Sequence, residues 1–247
     1  MYCILFSTLA CLSTCHCWTE TDEKNENICV LLKQWLDSTS VSMEINKQGF
    51  HREVVTTVEF SPDGPNGLKV LLVHRWPRGI YVDPYQLASL SDHSDWQVLL
   101  GSAIDLEVPA HKTEGFVTLV YPTLDGQIPR LLKTTIPIHG RYHEPSFVGK
   151  KFAFVNLEPP ELLLRTDKCT QPSYLQPHTV VDAPCTADNS SICQWVKIQH
   201  QQEQGHASLQ FTVGDGSLVI PVCSGTLLVT MMCCLALSKN IWKHKIF

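Results

Sequence analysis

A mainly β, antiparallel, sandwich-like body with one C-terminal membrane helix is the fold class this sequence predicts. Three observations lead there. Short β-rich segments separated by Pro and Gly recur through the middle of the chain, at the spacing of an antiparallel sandwich. A stretch of 21 residues near the C-terminus, Ser217 to Leu237, holds no charged side chain. A shorter apolar run, Cys3 to Leu12, opens the chain, and no charge appears before Glu20.

Composition excludes several other classes. Of 247 residues, 44% are hydrophobic and 17% charged, and the mean hydropathy is −0.01. A disordered chain lacks such apolar mass, and a multi-span membrane enzyme would be far more apolar. The 19 basic and 24 acidic residues give a net charge of −5, with no basic stripe suited to a nucleic acid.

The elements follow in order. Cys3 to Leu12 has the length of a signal-peptide core and is too short to span a bilayer. Cys15 and Cys17 supply small residues at −3 and −1, so residues 1–17 read as a signal peptide cleaved after Cys17. Residues 18–45 read as a leader with one short helix, because Ile28, Leu31, Leu32, Trp35 and Leu36 recur at helical spacing.

Residues 46–216 form the β-rich domain. Its candidate strands are Arg52–Phe60, Leu68–Trp76, Ile104–Val108, Phe116–Tyr121, Arg130–Ile138, Lys151–Val155, Glu161–Leu164 and Ser208–Val213. In the third of these, Ile104, Leu106 and Val108 alternate with Asp105 and Glu107, the pattern of a strand with one wet face. Between strands, Gly79 to Leu90 is a strand end running into a helical turn. There Asp83 caps the turn, Pro84 takes the first helical position and Gln86 completes a capping box. Tyr81 and Tyr85 belong to the core or to an interface, and core is the better prior.

Four of the eleven cysteines lie in the signal region and three in the span, leaving Cys29, Cys169, Cys185 and Cys193. Three pairings are possible. Cys185 and Cys193 flank a turn-rich stretch, so that pair together with Cys29–Cys169 is preferred. Zinc binding would want short-spaced pairs such as C-x-x-C, and none exists. Asn189 opens an N-x-S sequon inside the loop between Cys185 and Cys193.

As a helix, residues 217–237 would extend ~31 Å, about the thickness of the hydrocarbon layer. Nine Leu, Ile and Val favour insertion, by on the order of −3 to −5 kcal/mol in total. Pro221 and the Ser and Thr residues subtract from that. Cys223, Ser224, Gly225 and Thr226 offer a small-residue face for another helix. Lys239, Lys243 and Lys245 follow the span, so residues 238–247 are expected in the cytosol and the body in the lumen. All 24 acidic and all but three of the basic residues then lie on the lumenal side, a net of −8. Such a body gains no general attraction to anionic headgroups. Lys243 and Lys245 stand at −5 and −3 from the carboxyl end, where a dilysine serves either as an endoplasmic-reticulum retrieval signal or as stop-transfer charge.

Only His139 to Pro145 invites a catalytic or metal reading. On extended chain His139 and His143 would stand ~13 Å apart, too far for one ion. A polar strand-end cluster with Arg141 paired to a carboxylate is expected instead. The chain contains no G-x-S-x-G elbow, no G-x-x-x-x-G-K, no H-E-x-x-H and no D-x-D. No catalytic residue, cofactor or metal ligand is therefore assigned.

Four ordered blocks carry a resemblance: Gly49-Phe50-His51-Arg52, Gly79-Ile80-Tyr81-Val82-Asp83-Pro84-Tyr85, Arg141-Tyr142-His143-Glu144-Pro145, and Ala183-Pro184-Cys185 with Ile192-Cys193-Gln194-Trp195. From about residue 45 through the span, the chain resembles the phosphatidylinositol-glycan biosynthesis class X (PIG-X) family. That resemblance implies a non-catalytic, single-pass subunit of GPI mannosyltransferase I in the endoplasmic-reticulum membrane. Its implied partner is the multi-span catalytic subunit PIG-M, which transfers the first mannose from dolichyl-phosphate mannose. No nucleic acid and no small-molecule substrate of its own are implied. Tyr81, Asp83, Pro84, Tyr85, Arg141, Tyr142 and His143 become candidates for partner contact or for structural roles. The rival readings are a cell-surface adhesion or receptor ectodomain, and a lumenal enzyme using the cluster from His139 to Glu144.

Overall fold

The computed structural model describes residues 29–62, 67–124, 130–166, 175–188, 191–199 and 206–244. Residues 29–37 form helix α1. After it come β1 (Ser40–Asn46), β2 (His51–Glu59), β3 (Lys69–Trp76), β4 (Ile80–Tyr81), α2 (Pro84–Ser91), β5 (Trp96–Leu100) and β6 (Phe116–Pro122). The second half contains β7 (Leu131–Gly140), β8 (Phe152–Leu157), β9 (Glu161–Arg165), β10 (Thr179–Pro184), β11 (Ile192–Lys197), β12 (Ala207–Thr212) and α3 (Val219–His244).

Among the described residues these strands make one sheet in the order β1-β2-β7-β4, a second in the order β10-β11-β9-β3-β6-β5, and a β12-β8 ribbon. Every ladder is antiparallel. Successive side chains of a strand face opposite ways. Val54 and Val58 of β2, with Ile136 and Ile138 of β7, therefore share one core with Val70 and Leu72 of β3 and Leu162 and Leu164 of β9. The mainly β, antiparallel class holds.

β3 buries five consecutive residues, Val70 to His74. Its even-numbered side chains enter the main core. Leu71 and Val73 enter a second cluster with Leu163, Tyr121 and Trp195. The cover for that outer face is the β10–β11 hairpin. β11 meets β9 only at Val196↔Leu164 and Lys197↔Leu163, which leaves its remaining length free to fold across the sheet. Tyr121 Oη donates to Pro184 O at 3.0 Å and Trp195 Nε1 to Ala183 O at 3.3 Å. A disulfide joins Cys185 to Cys193, with Cα atoms 5.1 Å apart. Cys29 is also disulfide-bonded. Cys169 lies outside the described residues, as do Asn189, Lys245 and the stretch expected to be the signal, residues 1–17.

Two expectations need correcting. The leader does not end at residue 45, since β1 pairs with β2 from Ser40↔Glu59 to Asn46↔Glu53. α1 is part of the same body: Leu32, Trp35 and Leu36 are buried in the core, and the Trp35 ring stacks on Phe60 at 5.5 Å. Each such side chain contributes ~1.5–3 kcal/mol on burial, so the segment folds with the domain it precedes. The second correction is Ile104–Val108, which is not a strand. Asp105 Oδ1 accepts from Glu107 N at 3.0 Å, a local turn that competes with ladder pairing. Ile104 still packs against the core.

α3 leaves the body without packing on it. Gly216–Lys243 is long and apolar enough to cross a membrane, and its most apolar 18-residue stretch, of mean hydropathy 2.2, is wholly exposed. The helix continues past Leu237, through Lys239 and the exposed Lys243, to His244. Gly225 has open space where a side chain would stand. Thr226 and Thr230 return their hydroxyls to Val222 O and Thr226 O at 2.8 and 2.6 Å. On the small-residue face, the Thr226 hydroxyl is therefore already taken up within the helix.

Candidate functional site

β-sheet register brings three distant segments together at one end of the sandwich. β2 and β7 pair His51 with His139, and β4 and β7 pair Tyr81 with the same His139. The three rings form a cross-strand row. His51 meets His139 edge-on at 4.7 Å, and Tyr81 stacks on it at 5.0 Å. Burial, and then the neighbouring His51, lower the pKa of His139 and favour a neutral ring.

Asp83 sits at the N-cap of α2, and its Oδ1 accepts from Tyr85 N at 2.9 Å and Gln86 N at 3.4 Å. Gln86 does not complete the capping box. Its Oε1 lies 3.0 Å from His139 Nε2, and an amide oxygen only accepts, so Nε2 carries the proton. The side chain expected to finish a local cap instead ties α2 to the aromatic row.

Arg141 is buried at 3% exposure. It was expected to pair with a carboxylate, and it does something else. Nη1 donates to Val108 O at 2.6 Å, and the guanidinium carbon lies 5.0 Å from the centre of the Tyr81 ring. The planar, weakly hydrated guanidinium suits that stacked, partly dry position. Asp105 acts on it only through space.

Next to this row lies an aromatic cluster. Phe50 contacts Tyr142 at 5.3 Å and Phe211 of β12 at 5.5 Å, and His143 lies 6.3 Å from Phe211. Arg52 spans the same ring at 5.2 Å and donates Nη2 to Gln210 O at 2.7 Å. Gly140 makes this possible, because a Cβ there would stand 2.2 Å from the Phe211 ring. Burial, and then Arg78, lower the pKa of His143.

The predicted residues therefore separate by environment. Arg141 is buried, Tyr81, Asp83, Pro84 and His143 are half-buried, while Tyr85 and Tyr142 are 82% and 76% exposed. Tyr85 and Tyr142 leave large rings in solvent, whereas Tyr81 is held between Arg141 and His139. His139 and His143 contact different neighbours. Among the described residues, no group of three or more His, Cys, Asp or Glu is arranged to hold a metal.

Phe211 is not singled out by the sequence, and Gln86 reads there only as part of a local cap, not as a partner of His139. Alternation in β12 marks Phe211 as inward-facing, but nothing local says that Gly140 receives its ring.

A family model for PIG-X / PBN1 matches residues 47–242. The chain belongs to the PIG-X / PBN1 family. It is 33% identical over 205 residues to the human protein named "GPI alpha-1,4-mannosyltransferase I, stabilizing subunit", covering 81% of this chain and 79% of that one. The rat protein of the same name is 31% identical over 205 residues, with 81% of each chain covered. Protein PBN1 of Yarrowia lipolytica is 32% identical over 108 residues, which is 38% of this chain and 21% of that larger protein.

In this PIG-X / PBN1 chain, three of the four blocks that carried the resemblance build the end of the sandwich just described. The fourth, around Cys185 and Cys193, builds the second hydrophobic cluster instead.

Proposed function

We propose that this chain is the non-catalytic, stabilising subunit of GPI mannosyltransferase I. Its identity to the human stabilizing subunit, 33% over 81% of the chain, carries the reading. In this role it is a type I protein of the endoplasmic-reticulum membrane with its β domain in the lumen. Its partner is the multi-span catalytic subunit PIG-M, which adds the first mannose to the GPI precursor from dolichyl-phosphate mannose.

The structure offers features that suit such a role. α3 presents its whole surface for lipid or for partner helices, and Tyr85 and Tyr142 stand exposed at the end of the sandwich. A subunit that binds only the folded partner raises the partner's apparent stability by mass action, and needs no chemistry of its own.

Deleting the gene tests the reading. Acylated GPI precursor without mannose should accumulate, the PIG-M level should fall, and the full chain should restore both. Normal mannosylated precursors in the deleted cells would overturn the assignment.

A further inference from the structure

The loop after the Arg141–Pro145 block lies where the chain enters α3. Ser146 N donates to Gly214 O at 2.8 Å, and Gly216 N donates to Ser146 O at 2.9 Å. At the far end of the loop, Val213 N donates to Lys151 O at 2.9 Å. Both ends are thus pinned to the residues just before the span. Inside it, Ser146 Oγ accepts from Val148 N and Lys150 N, and Gly149 takes φ +77°. That left-handed position suits glycine. The Phe147 ring lies against Gly216, where a Cβ would stand 2.8 Å from it.

Gly216 is the first residue of the apolar segment. Asp215 marks the polar side of that boundary. Its carboxylate accepts from Ser217 N and Ser217 Oγ, which lowers its pKa. Phe147 and Val148, held at that level, are 78% and 81% exposed. Phe152 and Phe154 on β8 are 44% and 69% exposed. Phe152 pairs with Thr212 and Phe154 with Gln210, so Phe154 stands ~7 Å farther along the ribbon from the span.

Lys150 and Lys151 follow the apolar tip after Gly149, and with Arg78, His143 and Glu144 they line a cleft of about 900 Å³. In a body that carries −8 overall, two adjacent lysines thus stand in the loop pinned to the start of the apolar segment.

We propose that the loop at residues 146–151 and the adjoining end of β8 form a membrane-seating edge whose occupant is the phospholipid surface around α3. Phe147 and Val148 enter the boundary between headgroups and acyl chains, Phe152 lies at headgroup level, and Lys150 and Lys151 meet lipid phosphates. Aromatic rings and snorkelling lysines favour that layer. The apolar tip is continuous with the exposed Leu218 and Ile220 of the span, so lipid that covers one covers the other. With α3, this second attachment would fix the tilt of the domain and hold its aromatic end at a set height above the membrane. The inference rests on α3 being a span, and its test separates the two ideas.

The full chain, reconstituted in nanodiscs of phosphatidylcholine and phosphatidylinositol and also kept in native membranes, would carry a photo-crosslinker. The positions are Phe147→benzoylphenylalanine, Val148→benzoylphenylalanine, Leu227→benzoylphenylalanine in the span and Leu90→benzoylphenylalanine on α2. Phospholipid adducts at 147 and 148, several-fold above those at 90, support the proposal. Lys150→Glu with Lys151→Glu should then lower the yield at 147 several-fold. Lipid adducts at 227 without any at 147 or 148 overturn the seating edge and leave the span intact. Adducts at none of these positions overturn both. Protein adducts at 147 in native membranes, in place of lipid ones, assign the edge to a partner and overturn the proposal.

Discussion

The guanidinium carbon of Arg141 lies 5.0 Å from the centre of the Tyr81 ring while Nη1 donates to Val108 O. The pair joins a strand end, β4 and the loop before residue 110. Arg141→Ala removes a charge-assisted hydrogen bond worth ~1.5–3 kcal/mol and a stacked cation worth ~1 kcal/mol. The expected loss is ~2–4 kcal/mol, read from denaturant unfolding of the purified full chain. Arg141→Lys should recover only part of it, since an ammonium cannot bond and stack in the same plane.

Gly140 and Phe211 form a second test. Gly140→Ala places a methyl against a ring that has nowhere to retreat, and overpacking of this kind costs ~1–3 kcal/mol. Phe211→Leu alone is also destabilising, because it thins the cluster around Phe50. Combined with Gly140→Ala, it should cost less than the sum of the two single changes, and a double-mutant cycle measures the difference.

Acid sensitivity should trace to His74. Its ring stacks on Trp76 at 5.2 Å, and burial lowers its pKa to about 3 from the ordinary 6.5. A group whose folded pKa is depressed supports the fold above its unfolded value and loses that support as pH falls. Stability should therefore decline below pH 6.5, approaching ~1.4 kcal/mol per unit until the pH nears 3. His139, His143 and His178 are shifted the same way, each by burial first. His74→Phe should flatten the pH profile of unfolding between pH 6.5 and 3, and an unchanged profile would overturn the assignment to His74.

Tyr85 and Tyr142 test the proposed contact with the partner. Exposed side chains of this kind contribute within ~0.5 kcal/mol to folding when replaced, whereas tyrosines at an interface often dominate binding. Tyr85→Ala with Tyr142→Ala should leave the unfolding midpoint of the chain nearly unchanged. If the proposed partner is right, the amount of PIG-M recovered with it should fall several-fold, by quantitative pull-down.

Asn189 reports topology. In a lumenal body the sequon would carry a glycan, so Asn189→Gln should abolish an endoglycosidase-sensitive shift on a gel. No shift in the parent chain would count against use of the site.

The sequence made some elements readable because the force that builds them acts along the chain. β2, β3, β6, β7, β8, β9 and β12 fall on segments that read as strands, some from alternating apolar residues and others, such as β3 and β9, from short apolar runs. β1 did not stand out. Val41, Met43 and Ile45 do alternate with polar residues and face the core, but only Val41 is fully buried and the segment falls in the stretch expected to be leader. β10 and β11 are interrupted by Asp182, Pro184 and Gln194, and they become strands through pairing with each other and by covering Leu71 and Val73. Ile104–Val108 erred the other way, since alternation looked like a strand until the Asp105 turn removed its backbone from pairing.

By itself the sequence determined what is local: a β-rich body, a helix start at Asp83 and Pro84, and an apolar segment long enough to span. Tertiary structure decided what meets. Arg52 bonds to Gln210 across 158 residues, Gln86 turns from its own cap to His139, and the loop after Pro145 closes onto the first residue of the span. Hydrophobic period and capping chemistry are written in neighbouring residues. Register between distant strands is set by how whole faces pack, and that packing is what placed an aromatic end and a basic, apolar edge on an acidic domain.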